Sequence, residues 1–389
     1  MRGELLLLVK PQNRKLACWM ISVSVLLLPN NPVPGQDPQP HNIKLEFEAR
    51  LAESSNQGSS AQIQLADWAA KNDLNSQAEN LYRDVLKKDP LNNSAYHGLV
   101  RLSKSQPLEG NSNTFISTRQ LLPKNFRIHE SKNYITISNA NSRWTRTQAN
   151  RLERTYEQFL RYTKKLKLKP LPLKQKLVCV LFKSRSEYQA FALKHDQLNL
   201  HSWNLGYYSP LNDRIVLFDG RSEVDADEFT DNRIIATTIH EAVHQLHFHT
   251  GVMNIHIQYP LWLCEGLATN FESNSTKRAF GPEQDFQPRR EHFRSLVDSN
   301  KLLPLKSLVQ LDALPDTSQQ TSFTIYNQSY ALVCWLIKKR PKEFSNYLMM
   351  LRSEPPGRPT GKRHLELFEK AFGDTIILQK QWLNYEAKE

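Results

Sequence analysis

The sequence is poor in cysteine, with four in 389 residues. They are Cys18, Cys179, Cys264 and Cys334, and Cys18 lies in an apolar N-terminal stretch that we expect to be removed. Three cysteines cannot all pair within one chain, so we expect no disulfide framework to stabilise this fold. Cys264 lies in an apolar stretch, and we interpret it as a small packed residue and not as a nucleophile.

Long hydrophobic runs are also scarce. Arg14 and Lys15 precede the run Leu16–Leu28, which is short for a membrane span and typical of the core of a signal peptide. We therefore predict that residues 1–36 are a signal peptide and that the protein is exported to the periplasm, the cell surface or the medium. An uncleaved N-terminal membrane anchor is the alternative. No other segment reaches the length of a bilayer-spanning helix.

Acidic residues are outnumbered, since 51 Lys and Arg face 39 Asp and Glu and give a formal net charge of +12. Basic residues cluster in Arg161–Lys169 and again at Lys174 and Lys176. The simplest interpretation is a solvated helix end followed by a linker. Contact with an anionic cell envelope is the alternative. No nucleic-acid-binding motif accompanies the charge, so we predict no nucleic-acid partner.

The most informative stretch contains His240-Glu241-x-x-His244, flanked by apolar residues at helical spacing. On a helix, His240 and His244 lie one turn apart on the same face and could bind one metal ion together. Glu241 is rotated by about 100° from His240, so it could reach a water on the metal without being a ligand. This division of roles is what a zinc hydrolase needs.

A third ligand is expected from a second predicted helix, Gln258–Glu272, with Pro260 in its first turn. Glu265 lies in that helix and could return a carboxylate to the two histidines. Gly266 would permit close approach of the two helices. Glu272 competes as third ligand, or could instead support a ligand from behind.

His247 and His249 also compete as third ligands. His247 is three residues past His244, but one helix rarely supplies three ligands to a tetrahedral site. We interpret His247, His249 and His256 as non-ligands. The metzincin pattern fails as well, since His247 stands where that pattern requires glycine and Thr250 stands where it requires histidine.

These residues, with Trp262-Leu263-x-Glu265-Gly266-Leu267-Ala268, resemble the gluzincin zinc metallopeptidases, and most closely a family of secreted bacterial proteins of unknown function. The resemblance runs from about residue 126 to the C-terminus and includes Gly206-Tyr207-Tyr208, Asn212–Asp219 and Tyr326-Asn327-Gln328-Ser329. It implies Zn²⁺ held by His240, His244 and Glu265, with Glu241 as general base. It further implies an oxyanion-stabilising tyrosine, for which Tyr326 is our choice and Tyr330 the second.

The predicted fold is α+β: a small mixed sheet with an edge strand over the His-Glu helix, a mostly helical C-terminal half, and a short all-α hairpin in front. We predict strands within 126–138, at Leu177–Phe182 and at Arg214–Asp219, and we expect Ile215–Phe218 to be the edge strand that pairs with an extended substrate.

The predicted organisation has four parts after the leader. These are a linker at 37–58, a tetratricopeptide-like helical hairpin at 59–105, a linker at 106–125 and a gluzincin-like domain at 126–389. Ala78, Tyr82 and Val85 match the hairpin pattern. The hairpin could bind a protein partner or could serve as a structural prop.

The sequence thus predicts zinc-dependent hydrolysis of a peptide or protein substrate. Two alternatives stay open. One is a non-catalytic cell-surface interaction protein that retains the metallopeptidase fold. The other is a zinc amidase that acts on cell-wall peptide.

Overall fold

The computed structural model describes residues 40–54, 57–89, 92–105, 108, 110, 112–222, 228–272, 285–316 and 318–388. The predicted signal segment, residues 1–36, lies outside them. The chain divides into two compact units between Ala52 and Glu53. Within the described residues, no helix is both long enough and apolar enough to cross a membrane.

The fold is α+β, as predicted, and combines one five-stranded mixed sheet with many helices. The strands are β1 (Arg127–Glu130), β2 (Tyr134–Ser138), β3 (Leu177–Phe182), β4 (Gly206–Ser209) and β5 (Arg214–Phe218). The helices before β5 are α1 (Pro40–Ser54), α2 (Ser59–Lys71), α3 (Asn75–Lys88), α4 (Asn93–Ser105), α5 (Asn113–Leu121), α6 (Ser142–Lys165) and α7 (Arg185–Asp196). Those after β5 are α8 (Glu228–His249), α9 (Leu261–Thr269), α10 (Gln287–Asp298), α11 (Leu305–Gln310), α12 (Gln319–Lys339), α13 (Pro341–Arg352), α14 (Gly361–Phe372) and α15 (Thr375–Glu386).

The sheet has the order β1-β2-β3-β5-β4. β2, β3 and β5 run parallel in the centre, and β1 and β4 pair antiparallel at the two edges. The prediction that Ile215–Phe218 forms the edge strand is therefore wrong, because β5 is paired on both sides. The edge strand beside α8 is β4, which joins β5 through a tight connection where Asp213 has φ 50°.

Gly206 lets β4 lie against α8. A Cβ at this position would come within 2.2 Å of Leu217 Cδ2 and 3.0 Å of Thr237 Cγ2. The Cβ would also lie 3.2 Å from the Val216 carbonyl oxygen, so a side chain here requires a shift of β4 or of the groups that it meets on β5 and α8.

The N-terminal hairpin forms from α2 and α3, with α4 packed against them. Ala78, Tyr82 and Val85 are buried between these helices, and Tyr82 donates to Asp67 Oδ1. Arg83 reaches the Pro172 carbonyl, 3.1 Å away, in the segment that precedes β3. The hairpin therefore packs on the rest of its own unit, while a role in partner binding stays a prediction. Helix α5 lies inside the range that we predicted as the linker 106–125, and its N-terminal turn is capped by Ser112.

Helices α9 and α12 meet closely at Gly266. A Cβ there would lie 2.5 Å from Val333 Cγ2 and 2.7 Å from the Ser329 carbonyl oxygen. Gly266 thus permits the close approach of α9 and α12. Our expectation that it permits the close approach of α9 and α8 is wrong. The same contact holds α12, which carries Tyr326, beside α9, which carries Glu265.

Candidate metal centre

Helix α8 brings the two motif histidines together. The Nε2 atoms of His240 and His244 lie 3.0 Å apart, with ring centroids separated by 4.7 Å. Thr238, Ile239, Ala242 and Val243 are fully buried and fix the helix against β4, β5 and α6. The two imidazoles therefore project from a rigid element on one face, as the spacing predicts.

Glu265 arrives from α9 to complete the cluster. Its Oε2 atom lies 3.0 Å from His240 Nε2 and 3.7 Å from His244 Nε2. Only about a tenth of each of the His240 and Glu265 side chains is exposed, at 9% and 13%. Three potential ligand atoms thus lie within 4.8 Å of one another and could hold a metal ion.

His240 is oriented from behind by Glu272. Its Nδ1 lies 2.9 Å from Glu272 Oε1, and since an ionised carboxylate only accepts, Nδ1 carries the proton. Burial would raise the pKa of Glu272, but the charge of Arg289 and the hydrogen bond from His240 bring it below its ordinary value. Arg289 donates to both oxygens of Glu272 at 2.9 Å. Because Nδ1 of His240 is bonded to Glu272, Nε2 is the ring nitrogen that faces the cluster.

Glu241 lies beside the cluster and is not among its ligand atoms. The backbone N–H of Tyr208, at the outer side of β4, donates to Glu241 Oε2 over 2.8 Å. Burial raises the pKa of Glu241, although the neighbouring His240 and His244 act in the opposite direction. A buried carboxylate with a raised pKa is a stronger base than a solvated one.

Tyr326 stands on α12 with its ring stacked on that of His240, at a centroid separation of 6.2 Å and an interplanar angle of 18°. Burial, together with the charges of Glu265 and Glu241, raises the pKa of its hydroxyl well above the ordinary value. Tyr326 therefore keeps its proton and can act as a hydrogen-bond donor. Tyr330 is buried elsewhere, where its hydroxyl accepts from the Phe286 N–H at 2.8 Å.

The remaining histidines near the motif lie outside the cluster. His247 is buried against Phe159, and its Nδ1 donates to the Val243 carbonyl at 2.7 Å. His249 bonds to Asp213 Oδ1 at 2.6 Å, and His256 is exposed.

A family match covers the part of the chain that builds this cluster. Residues 234–357 match the family described as "Protein of unknown function (DUF1570)". No curated protein matches the chain. The matched segment contains the three cluster residues, His240, His244 and Glu265. It also contains Glu241 and Tyr326, whereas β4 lies outside it.

A cavity of about 320 Å³ opens beside His240 and Glu241. Its walls are one face of α8, the segment that leads into β4, and one face each of α10 and α12. Sequence reasoning identified neither this cavity nor the two groups that orient the site, Arg289 and the Tyr208 amide. A motif of side chains does not include backbone amides, so it could not indicate the Tyr208 N–H. The pair of Glu272 and Arg289 has no characteristic spacing in the sequence, so it could not be predicted either.

Proposed function

We propose that this protein is a zinc-dependent peptidase, with His240, His244 and Glu265 as ligands and Glu241 as general base. The observation that carries the proposal is the convergence of two imidazole nitrogens and one carboxylate oxygen, with a second carboxylate beside them that binds none of them.

The donor set fits Zn²⁺ in its chemistry and its spacing. Zinc sites in hydrolases combine two histidines and a glutamate at about 2.0–2.2 Å, which places tetrahedral ligand atoms about 3.3 Å apart. The separations here are 3.0, 3.0 and 3.7 Å. With the Nδ1–H of His240 donated to Glu272, its Nε2 faces the Glu265 oxygen, and a cation between them would bind a lone pair from each.

Bound zinc would polarise the substrate carbonyl and make hydroxide available near neutral pH. Glu241 would take the proton of the attacking water and pass it to the leaving amine. The Tyr208 amide keeps Glu241 Oε2 engaged and leaves Oε1 for this transfer. The hydroxyl of Tyr326 would donate to the oxyanion as charge develops on the carbonyl oxygen.

The test is incubation of the purified protein with a mixed peptide library, with and without chelator, read by mass spectrometry. We expect cleavage that the chelator abolishes and added zinc restores. Glu241→Gln should lose cleavage and keep its zinc by elemental analysis. The exposed Glu366, which pairs with Arg363, offers the matched control Glu366→Gln, which should cleave normally.

Each other outcome favours a different function. Zinc without cleavage of any peptide would contradict the peptidase and favour a surface interaction protein. Cleavage confined to cell-wall peptides would favour an amidase. Export is part of the proposal and rests on residues 1–36 alone, so secretion of a fused reporter tests it separately.

A further inference from the structure

Large apolar side chains, most of them aromatic, form part of the wall of the cavity beside Glu241, together with polar residues. Trp203 and Leu205 approach from the segment before β4, Phe286 comes from the start of α10, and Phe323 and Tyr326 come from α12. Phe323 and Tyr326 lie on one face of α12, because residues three apart share a face. These side chains come from three separate segments of the chain, so the fold brings them together to form the apolar part of the wall.

The charged groups that line the cavity are engaged with protein partners. Arg289 is paired with Glu272, and Glu241 accepts from the Tyr208 amide. Arg233 Nη2 donates to the Trp203 carbonyl at 3.1 Å. A charged side chain entering the cavity would therefore lose its hydration and would have to compete with these existing pairs.

Phe323 marks the rim. It is 39% exposed, although it is a large apolar residue, and its ring contacts that of His292 at 5.3 Å between centroids. An exposed phenylalanine beside an apolar cavity gains stabilisation when a ligand covers it. The volume of about 320 Å³ lies at the low end of ligand pockets. It suits one large side chain with its flanking backbone.

We infer that this cavity is the specificity pocket of the site and accepts one large uncharged side chain of a peptide substrate, aromatic in preference to aliphatic. The inference rests on the proposed function in one respect, namely that the site takes peptides. Aromatic side chains are favoured over aliphatic ones because stacking on aromatic walls adds to the gain from burial.

The experiment measures binding without catalysis. Zinc-loaded full-length Glu241→Gln is titrated by calorimetry with blocked alanine-serine hexapeptides that carry a single phenylalanine, leucine, lysine or aspartate, or no such residue. We expect the phenylalanine peptide to bind about tenfold more tightly than the unsubstituted one, since burial of one such side chain is worth about that factor. The lysine and aspartate peptides should gain nothing.

Two variants in the same background locate the effect. Phe323→Ala should remove most of the preference for phenylalanine, and Ala236→Leu, which fills the cavity from α8, should reverse it. The control is Ile376→Ala, which removes an equally apolar side chain that is 66% exposed and does not line the cavity. Its preference should be unchanged.

Equal affinity for all five peptides, no binding of any, or an unchanged preference in Phe323→Ala would overturn the inference. Cleavage by the wild-type protein separates the two proposals. Binding preference without cleavage would contradict the peptidase and leave the pocket standing. Cleavage that prefers small or charged residues would contradict the pocket and leave the peptidase standing.

Discussion

The backbone N–H of Tyr208 lies 2.8 Å from Glu241 Oε2 and holds that carboxylate beside the histidine pair. The donor belongs to the main chain of an edge strand, so among the standard residues only proline at position 208 would remove it. Its position depends on how closely β4 approaches α8. The proposed general base is therefore tied to the packing of the sheet as well as to its own helix.

Gly206→Ala tests this dependence. The new Cβ would meet Leu217, Thr237 and the Val216 carbonyl oxygen of the β5 backbone, so we expect β4 to shift and the free energy of unfolding to fall by about 1–3 kcal/mol. Peptide cleavage should fall further than this loss explains, because the Tyr208 amide moves away from Glu241. Urea denaturation and kcat/KM are the measurements. Gly110→Ala, whose Cβ would meet only flexible side chains, is the control, and equal kcat/KM in the two variants would contradict the argument.

Glu272→Gln should weaken zinc binding by about 10- to 100-fold, the usual effect of losing a carboxylate behind a ligating histidine. The amide keeps the shape of the side chain but leaves the charge of Arg289 without its partner. Competition with a chromophoric chelator gives the affinity. Glu130→Gln, at an exposed carboxylate paired with Lys176, should bind zinc normally. Unchanged affinity in Glu272→Gln would show that His240 needs no such support.

Tyr326→Phe removes only the hydroxyl above His240. We expect kcat to fall by about 10²- to 10³-fold, since the oxyanion loses one donor, with KM and zinc content nearly unchanged. The comparison is Tyr330→Phe, in which the lost hydroxyl bonds to Phe286 and not to the cluster. If Tyr330→Phe were the slower enzyme, our second choice would be the correct one.

His364 gives a prediction for pH. The residue is fully buried, and neither ring nitrogen has a hydrogen-bond partner among the described residues. Burial lowers its pKa below the ordinary 6.5, although Asp312 and Glu354 partly oppose this. The unfolded chain therefore binds the proton more tightly, so stability is complete above pH 6.5 and falls as the pH drops below it.

The measurement is urea unfolding of wild type and His364→Leu at pH 7.5 and 5.5. The wild type should lose up to about 1.4 kcal/mol more than the variant, because pH 5.5 lies one unit below 6.5 and one group contributes at most about 1.4 kcal/mol per pH unit. Equal losses would show that His364 is protonated in the fold or hydrated there.

The predictable parts of the fold were those with a short-range period. The i, i+4 spacing placed His240 and His244 on one face of α8. The edge of the sheet failed for an identifiable reason. Ile215–Phe218 is apolar at every position, and a strand buried on both faces reads in this way because it is central.

Long-range pairings were less accessible. Gly206-Tyr207-Tyr208-Ser209 is too short to alternate clearly, so its strand went unrecognised. A glycine in a helix indicates that another element approaches closely, but it does not identify that element. We therefore expected Gly266 to contact α8, whereas it contacts α12.

The family match starts at residue 234, whereas α8 packs against β4, β5 and α6, which all precede that position. A fragment cut at the matched boundaries would expose the side of α8 that packs on the sheet and on α6. It would also lack the Tyr208 N–H that donates to Glu241. Such a fragment would aggregate or stay inert whatever the natural activity is. Recombinant work on relatives should therefore begin upstream of their equivalent of β1.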